Sequence, residues 1–300
     1  MSDVFRVSPE VRHALDARRP VVALESTIIT HGFPYPANLE CALEAERVAR
    51  EEGAVPATIG VVEGVLTVGL ERADLERFAS STGIAKASRR DLPVLAARGA
   101  DGGTTVAATM FAAARAGIRV FATGGIGGVH RQGERTLDIS ADLEELSRTD
   151  VAVVCAGAKS VLDIGLTLEY LETAGVPVVG YRTDDFPAFY VPSSGFPVPH
   201  RAETPGEIAH IVDAKSNLGL AGGVVVANPI AEQHALDPVE TEAIITAALA
   251  RAAENHITGK DVTPFLLAQI HEATGGASEE ANRQLVYSNV RLAAKIAAAL

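Results

Sequence analysis

The run VAVVCA at residues 151–156 is short and wholly apolar, and half of its side chains are valines. Strands that are buried on both faces of a parallel sheet give continuous runs of this kind instead of alternating ones. Similar runs recur along the chain, separated by alanine-rich segments with helical spacing. We therefore predict one α/β domain over residues 1–300, layered α/β/α, with a mixed central β-sheet. The other runs lie at residues 20–24, 58–62, 65–68, 118–122, 176–179 and 223–227.

The composition of the chain excludes several classes of protein. Hydrophobic residues make up 47% of the chain and charged residues 21%, which is typical of globular rather than disordered proteins. The formal net charge of −12 repels phosphate backbones, so we expect no nucleic-acid polymer as a partner. No apolar stretch approaches the roughly 18 residues that span a bilayer, so we expect no membrane partner. With only two cysteines, Cys41 and Cys155, and no signal peptide, we predict a cytoplasmic protein.

Two charged residues lie just beyond predicted strands, where open α/β sheets bind their ligands. Glu25 directly follows the run at 20–24, and Lys159 lies three residues beyond the run at 151–156. A lysine among small residues in a dry setting can stay neutral and attack a carbonyl to form a Schiff base. A carboxylate at the end of a buried strand suits general acid/base catalysis. Lys159 could instead be a surface residue at a helix start, and Glu25 could cap neighbouring backbone amides.

Two further segments carry candidate anion and metal sites. The glycine-rich residues 122–128 do not fit the dinucleotide fingerprint; they either offer amides to an anion or form a plain turn. Asp138 and Asp142 are four residues apart, so on one helical turn they would face the same side and could share a divalent cation. The alternative is a pair of solvated acids beside a helix that Ser140 caps.

Basic and amide side chains supply the remaining candidates. Lys86, Arg89 and Arg90 form the local positive cluster that a phosphate or a pyrimidine carbonyl needs in an acidic protein, unless they are simply a solvated face. Asn282 and Asn289 interrupt the apolar stripe of the last predicted helix. Each is either a buried amide that the backbone satisfies or a ligand contact.

The segment at residues 183–205 is rich in proline, serine and glycine. It is too long for a simple connection between elements of secondary structure. We therefore predict a functional loop there, with a lid over the site as one possibility.

Six blocks of the sequence, taken together and in order, resemble the pseudouridine-5′-phosphate glycosidase family. They span almost the whole chain, and no departure from the family's pattern occurs at a functional position. The blocks are VALESTIITHG at 22–32, KASRRDL at 86–92, TGGIGGVHR at 123–131, DISADL at 138–143, AGAKS at 156–160 and GKDVTPFLL at 259–267.

The resemblance implies an activity and an assembly. Pseudouridine 5′-phosphate and water would give uracil and ribose 5-phosphate, reversibly, by cleavage of the carbon–carbon bond between C1′ of ribose and C5 of uracil. The resemblance also implies an α/β fold, a homotrimer and one divalent metal ion per subunit, usually Mn²⁺.

The resemblance also implies roles for individual residues. Lys159 would attack C1′, open the ribose ring and form an iminium with the sugar, while Glu25 would move a proton to or from C5. Asp138 would bind the metal, with waters at the remaining positions. From its place beside the glycines we add His130 as a phosphate donor. The residues implied to contact the substrate are Lys86, Val106 through its backbone, Ser140, Ala141, Asp142 and Asn282.

Two other functions fit parts of this pattern. A Schiff-base aldolase or lyase acting on another sugar phosphate would share Lys159 but would not need Glu25 opposite a pyrimidine. A non-catalytic protein that binds a nucleotide or sugar phosphate would show affinity without turnover. Release of uracil from pseudouridine 5′-phosphate separates these functions from the glycosidase.

Overall fold

A computed structural model describes residues 4–255, 257 and 262–300 of the chain. Residues 259–261, at the start of the sixth block, lie outside the described residues. The strands are β1 (Phe5–Val7), β2 (Val21–Leu24), β3 (Val55–Val62), β4 (Val65–Val68), β5 (Ala85–Ala87), β6 (Gly102–Thr104), β7 (Val120–Ala122), β8 (Val129–His130), β9 (Ala152–Cys155), β10 (Leu162–Asp163), β11 (Val178–Tyr181), β12 (His200–Ala202) and β13 (Val224–Ala227).

The helices connect these strands and cover the sheet. They are α1 (Pro9–Asp16), α2 (Thr27–His31), α3 (Ala37–Glu51), α4 (Arg72–Ser80), α5 (Leu92–Arg98), α6 (Val106–Ala116), α7 (Gly133–Thr136), α8 (Ala141–Arg148), α9 (Ile164–Thr173), α10 (Pro205–Asn217), α11 (Pro238–Glu254), α12 (Val262–Ala273) and α13 (Ala277–Ala299). In the part of the chain that the structure describes, no helix is both long enough and apolar enough to cross a bilayer.

The main sheet is mixed, which confirms the predicted fold class. Nine of its strands follow one another in the order β1-β4-β3-β2-β7-β9-β13-β11-β12, and β5 and β6 extend it from β3. The strands from β2 to β12 along this order are parallel, whereas β3 pairs antiparallel with β4 and β6. Each of the seven predicted apolar runs overlaps one of these strands.

The centre of the sheet is dry, which explains why the apolar runs are continuous. Ala23, Phe121, Val153 and Val225 lie side by side on β2, β7, β9 and β13, and none of the four is exposed to solvent. Helices pack on both faces of the sheet, so outward-facing positions are buried as well as inward-facing ones. The alternation that marks a half-exposed strand is therefore absent from these runs.

The short strands were not predicted, because they carry no apolar run. For example, β5 reads AKA, β6 reads GGT and β12 reads HRA, and each has three residues. The pair β8 and β10 forms a separate two-stranded sheet with two residues in each strand. Backbone pairing with neighbouring strands, rather than side-chain hydrophobicity, makes these segments extended.

The loop predicted at residues 183–205 packs against the main sheet. Three aromatic side chains of this loop are buried: those of Phe186, Phe189 and Tyr190. The backbone N–H of Phe189 donates to the carbonyl of Ala156 at 2.9 Å. Ala156 directly follows β9, so the loop lies at the carboxyl ends of the central strands. This position brings it to the same edge of the sheet as Glu25, which directly follows β2.

Candidate active site

Two cavities open at the carboxyl ends of the central strands and share Glu25, Thr27, Lys86 and Lys159. We call them the inner cavity, of about 60 Å³, and the outer cavity, of about 700 Å³. The inner cavity is also lined by Ile28, His31, Gly32, Gly124, Gly125, Phe189, Leu267 and Asn282. The outer cavity is also lined by Ser88, Arg89, Arg90, Thr105, Val106, Gly127, His130, Asp138, Ile139, Ser140, Ala141, Asp142, Glu145, Arg148 and Leu162.

Glu25 is held in the wall of both cavities by two threonine hydroxyls. Thr27, at the start of α2, donates to one carboxylate oxygen, and Thr123, which directly follows β7, donates to the other. Hydrogen bonds to both oxygens fix the orientation of a carboxyl group. In the part of the chain described here, the side chain of Glu25 bonds hydroxyls and not backbone amides, so the predicted alternative of an amide cap is wrong.

The two asparagines of α13 have different surroundings. Asn289 is fully buried, and its Nδ2 donates to the carbonyls of Thr123 at 2.8 Å and Gly124 at 3.3 Å. Its Oδ1 accepts from Nδ2 of Asn228 at 2.9 Å. Asn282 instead lines the inner cavity. Asn282 is therefore the asparagine that a ligand would meet, while Asn289 holds the segment that carries Thr123.

Lys159 reaches the cavities from a tight connection after β9. Its backbone N–H donates to the carbonyl of Ile126 at 3.1 Å, and Gly157, two residues earlier, has φ +85°. A side chain at Gly157 would lie 2.0 Å from the carbonyl oxygen of Pro187, so only glycine fits this approach. Lys159 is half-buried and does not begin a helix, so the alternative of a surface lysine at a helix start is wrong.

The prediction that Asp138 and Asp142 share one helical face is wrong. Helix α8 begins at Ala141, with Ser140 as its N-cap, so Asp138 lies outside the helix. Asp142 is buried, and its two oxygens accept from the backbone N–H groups of Ala107 at 2.9 Å and Gly127 at 2.8 Å. Its carboxylate therefore joins the start of α6 to the glycine-rich segment, and it is not paired with Asp138.

Two amides of the glycine-rich segment bond within the protein and are not open to an anion. The N–H of Ile126 donates to the carbonyl of Gly157 at 3.1 Å, and that of Gly127 donates to Asp142. A side chain at Gly127 would lie 2.1 Å from Oγ of Ser140. Glycine is thus needed there for close packing against the start of α8.

The outer cavity instead offers anion-binding groups at two helix starts. Val106 is the first residue of α6 and Ala141 is the first residue of α8, and both line the cavity together with the N-caps Thr105 and Ser140. Backbone N–H groups and the helix dipole make such ends favourable for an anion. The predicted substrate residues Val106, Ser140 and Ala141 therefore share one surface of this cavity.

The predicted basic residues lie in different environments. Lys86 lines both cavities, and Arg89 is bound to the buried Glu145, whereas the side chain of Arg90 is 84% exposed. His130 lines the outer cavity, where burial lowers its pKa. The charges of Lys86 and Lys159 also lower the pKa of His130, whereas Asp138 raises it. A neutral imidazole retains one N–H that can donate to a phosphate oxygen.

Metal ligands are sparse in this site. Across the described ranges of the chain, no group of three or more histidine, cysteine, aspartate or glutamate residues is placed to hold an ion. Asp138 is 38% exposed, and its nearest ionisable partner is Nδ1 of His130 at 3.8 Å. Hard cations such as Mg²⁺ are commonly held by one or two carboxylates, with waters and substrate oxygens completing the shell. Asp138 fits a metal held in that way and does not fit an all-protein cage.

Comparison with known proteins reveals similarity over the full length of the chain. Residues 10–299 match a family described as "Indigoidine synthase A like protein". The pseudouridine-5′-phosphate glycosidase of Hahella chejuensis is 56% identical over 299 residues, which are 99% of each chain. That of Geobacillus kaustophilus is 55% identical over 297 residues, again 99% of each chain.

Two solved structures share the fold. The crystal structure of a prealnumycin C-glycosynthase in complex with ribulose 5-phosphate has a TM-score of 0.92 at 47% identity, covering 100% of this chain and 98% of the other. An indigoidine synthase A-like protein from Thermotoga maritima has a TM-score of 0.90 at 35% identity, covering 99% of this chain and 96% of the other.

Proposed function

The chain belongs to the pseudouridine-5′-phosphate glycosidase family, and from this membership we propose that it cleaves pseudouridine 5′-phosphate reversibly to uracil and ribose 5-phosphate. One observation carries the proposal. An amine, Lys159, and an oriented carboxyl group, Glu25, line the same cavity as the starts of two helices. The sugar phosphate bound to the similar C-glycosynthase supports a pentose phosphate as ligand.

We propose that Lys159 carries the sugar through the reaction. The lone pair of its Nζ attacks C1′ as the bond from C1′ to the ring oxygen breaks, and the proton that the nitrogen loses goes to the ring oxygen. The nitrogen lone pair then forms a C=N bond to C1′ while the C1′–C5 bond breaks. Water adds to this iminium and releases ribose 5-phosphate, which returns the amine. Atoms balance, since the water consumed supplies the oxygen at C1′ of the product.

Glu25 supplies the proton that makes uracil a leaving group. The electrons of the C1′–C5 bond remain on the base, so C5 must receive a proton as the bond breaks. The hydroxyls of Thr27 and Thr123 fix the carboxyl group against the inner cavity, where the base would lie near Asn282. The phosphate would then lie in the outer cavity against the starts of α6 and α8, with Lys86 and His130 as further donors.

Replacing the amine tests the covalent mechanism. We expect Lys159→Ala to lower uracil release from pseudouridine 5′-phosphate by roughly a thousandfold or more, because the variant lacks the amine that bonds C1′ in the proposed mechanism. Release would be followed by chromatography, and circular dichroism would check that the variant is folded. Lys295→Ala is the matched control, since Lys295 lies in α13 on Glu52, away from both cavities. Near wild-type release by the Lys159 variant would rule out a covalent role.

A second variant tests Thr123 as a residue that positions Glu25 through its hydroxyl. Without this hydroxyl the carboxyl group of Glu25 is no longer held in position for proton transfer, so we expect Thr123→Val to lower kcat by roughly tenfold to a hundredfold. KM should change little, because Thr123 acts through Glu25, and Thr123→Ser should restore kcat. Thr246→Val is the control, because it removes an exposed threonine hydroxyl that also bonds a glutamate. Equal kcat values for the valine and serine variants would contradict the positioning role.

We also propose Mn²⁺ as the bound cation, with Asp138 as its protein ligand. When bound, such an ion supplies positive charge that can orient the phosphate and neutralise part of its charge. Both oxygens of Asp142 already accept hydrogen bonds from backbone amides. Asp138, beside His130 in the outer cavity, is instead accessible to an ion.

Metal removal tests this proposal. We expect exhaustive chelation to lower uracil release and added Mn²⁺ to restore it. In a titration followed by electron paramagnetic resonance, Asp138→Asn should weaken Mn²⁺ binding by at least about tenfold. Asp213→Asn is the control, since Asp213 lies on the distant α10, where it pairs with Arg119. Unchanged Mn²⁺ affinity in Asp138→Asn would exclude that residue as the ligand.

The homotrimer implied by the resemblance stays a prediction. Sedimentation equilibrium of the purified protein would give three times the mass of the single chain. A mass equal to that of one chain or two chains would contradict it.

A further inference from the structure

Arg89 is a cationic residue of the outer cavity to which the resemblance assigns no role. It begins a short 3-10 helix (Arg89–Asp91) two residues after β5, the strand that carries Lys86. Its side chain is 39% exposed and lines the same cavity as Val106 and Ser140. Arg89 therefore lies on the wall where we propose that the phosphate binds.

The guanidinium of Arg89 is anchored on a carboxylate that solvent does not reach. Its Nη1 donates to both oxygens of Glu145, at 2.7 and 2.9 Å. The side chain of Glu145 is 0% exposed and also accepts from the hydroxyl of Thr149. A fully buried carboxylate needs cationic partners, and Arg89 is the nearer of two, since Nε of Arg148 lies 3.6 Å from Glu145.

A second contact restrains the guanidinium. The Cζ atom of Arg89 lies 4.8 Å from the ring centroid of Phe111 on α6. The side chain is thus restrained by α6 and α8 together. These are the two helices whose starts, at Val106 and Ala141, face the outer cavity.

The anchor uses only part of the donor capacity of Arg89. A guanidinium carries five N–H donors, and both bonds to Glu145 come from Nη1. Within residues 4–255, 257 and 262–300, no hydrogen bond from Nε or Nη2 of Arg89 is found. An arginine so placed has donors available in a fixed geometry, and that geometry matches phosphate oxygens.

We propose that Arg89, held in place by Glu145 and Phe111, is a further phosphate ligand and makes the site selective for a phosphorylated pentose. This inference rests on the proposed function. The chain as a whole repels anions, with a formal net charge of −12, so the phosphate has to be attracted by local cations. A preoriented arginine provides such a charge without the entropy cost of ordering a long side chain.

The test measures binding without turnover, in protein that carries Lys159→Ala so that no covalent bond forms with the sugar. Calorimetric titrations with ribose 5-phosphate and with uracil would compare the Lys159→Ala protein with a protein that carries both Lys159→Ala and Arg89→Met. We expect the Kd for ribose 5-phosphate to rise about tenfold to a hundredfold, as for loss of a charge-assisted hydrogen bond. The Kd for uracil should stay within about twofold, because uracil carries no phosphate.

Further variants separate ligand binding from folding. Arg89→Met combined with Glu145→Gln leaves no unpaired buried charge, and it should show the same loss of ribose 5-phosphate affinity. Arg89→Lys keeps the charge without the planar fork, and it should recover part of that affinity. Arg115→Met is the matched control, since Arg115 also stacks on a phenylalanine, Phe5, at 4.8 Å, but lies at the other end of α6.

Two results would overturn the inference. One is an unchanged Kd for ribose 5-phosphate in folded Arg89→Met protein and in the double variant. The other is an equal loss of affinity for uracil, since Arg89 would then support the cavity as a whole. A wild-type protein that binds ribose 5-phosphate through Arg89 but releases no uracil would instead reject the proposed function and keep this inference.

Discussion

The parallel register of β2, β7 and β9 is the constraint on which the site depends. Leu24 lies opposite Ala122, and Ala122 lies opposite Val154, so the three strands end nearly level. The next residues, Glu25 and Thr123, are therefore neighbours, and the hydroxyl of Thr123 reaches the carboxylate of Glu25. A slip of one residue would turn every side chain to the other face of the sheet and separate this pair. Because both faces are buried, close packing of side chains against the covering helices holds this register.

Buried polar groups then carry that alignment into the cavities. Asn289 fixes the carbonyls beyond β7, Asp142 joins the start of α6 to the glycine-rich segment, and Glu145 holds an arginine. Leaving a buried hydrogen-bonding group without a partner costs about 1–3 kcal/mol, and breaking a buried ion pair costs about 3–5 kcal/mol. Each group therefore has one well-defined position, so the functional side chains are held in place before a ligand arrives. These three residues touch no reacting atom in the proposed mechanism.

The sequence alone predicted those parts of the structure that hydrophobic burial determines. All seven apolar runs overlap strands of the sheet, and Glu25 and Lys159 were identified as strand-end residues that the structure brings to shared cavities. Short strands such as β6 were missed because neighbouring backbones, and not their own side chains, make them extended. The prediction that Asp138 and Asp142 share one helical face was wrong because Ser140 is the N-cap of α8 and Asp138 lies before it, outside the helix.

The asparagines of α13 show a different limit of sequence reasoning. Asn282 and Asn289 are seven residues apart, or about two helical turns, and so share one face of the helix. Only the tertiary structure places one at a cavity and the other under the segment that follows β7. The anchor of Arg89 is likewise invisible in the sequence, because Glu145 lies 56 residues further along the chain.

The central claim is a covalent bond between Lys159 and the anomeric carbon of a phosphorylated pentose. It is tested most directly by adding borohydride to wild-type protein with ribose 5-phosphate and mapping the modified peptide by mass spectrometry. The account predicts one reduced pentose phosphate adduct, located on Lys159. A protein that releases uracil but yields no adduct, or an adduct on another lysine, would contradict it.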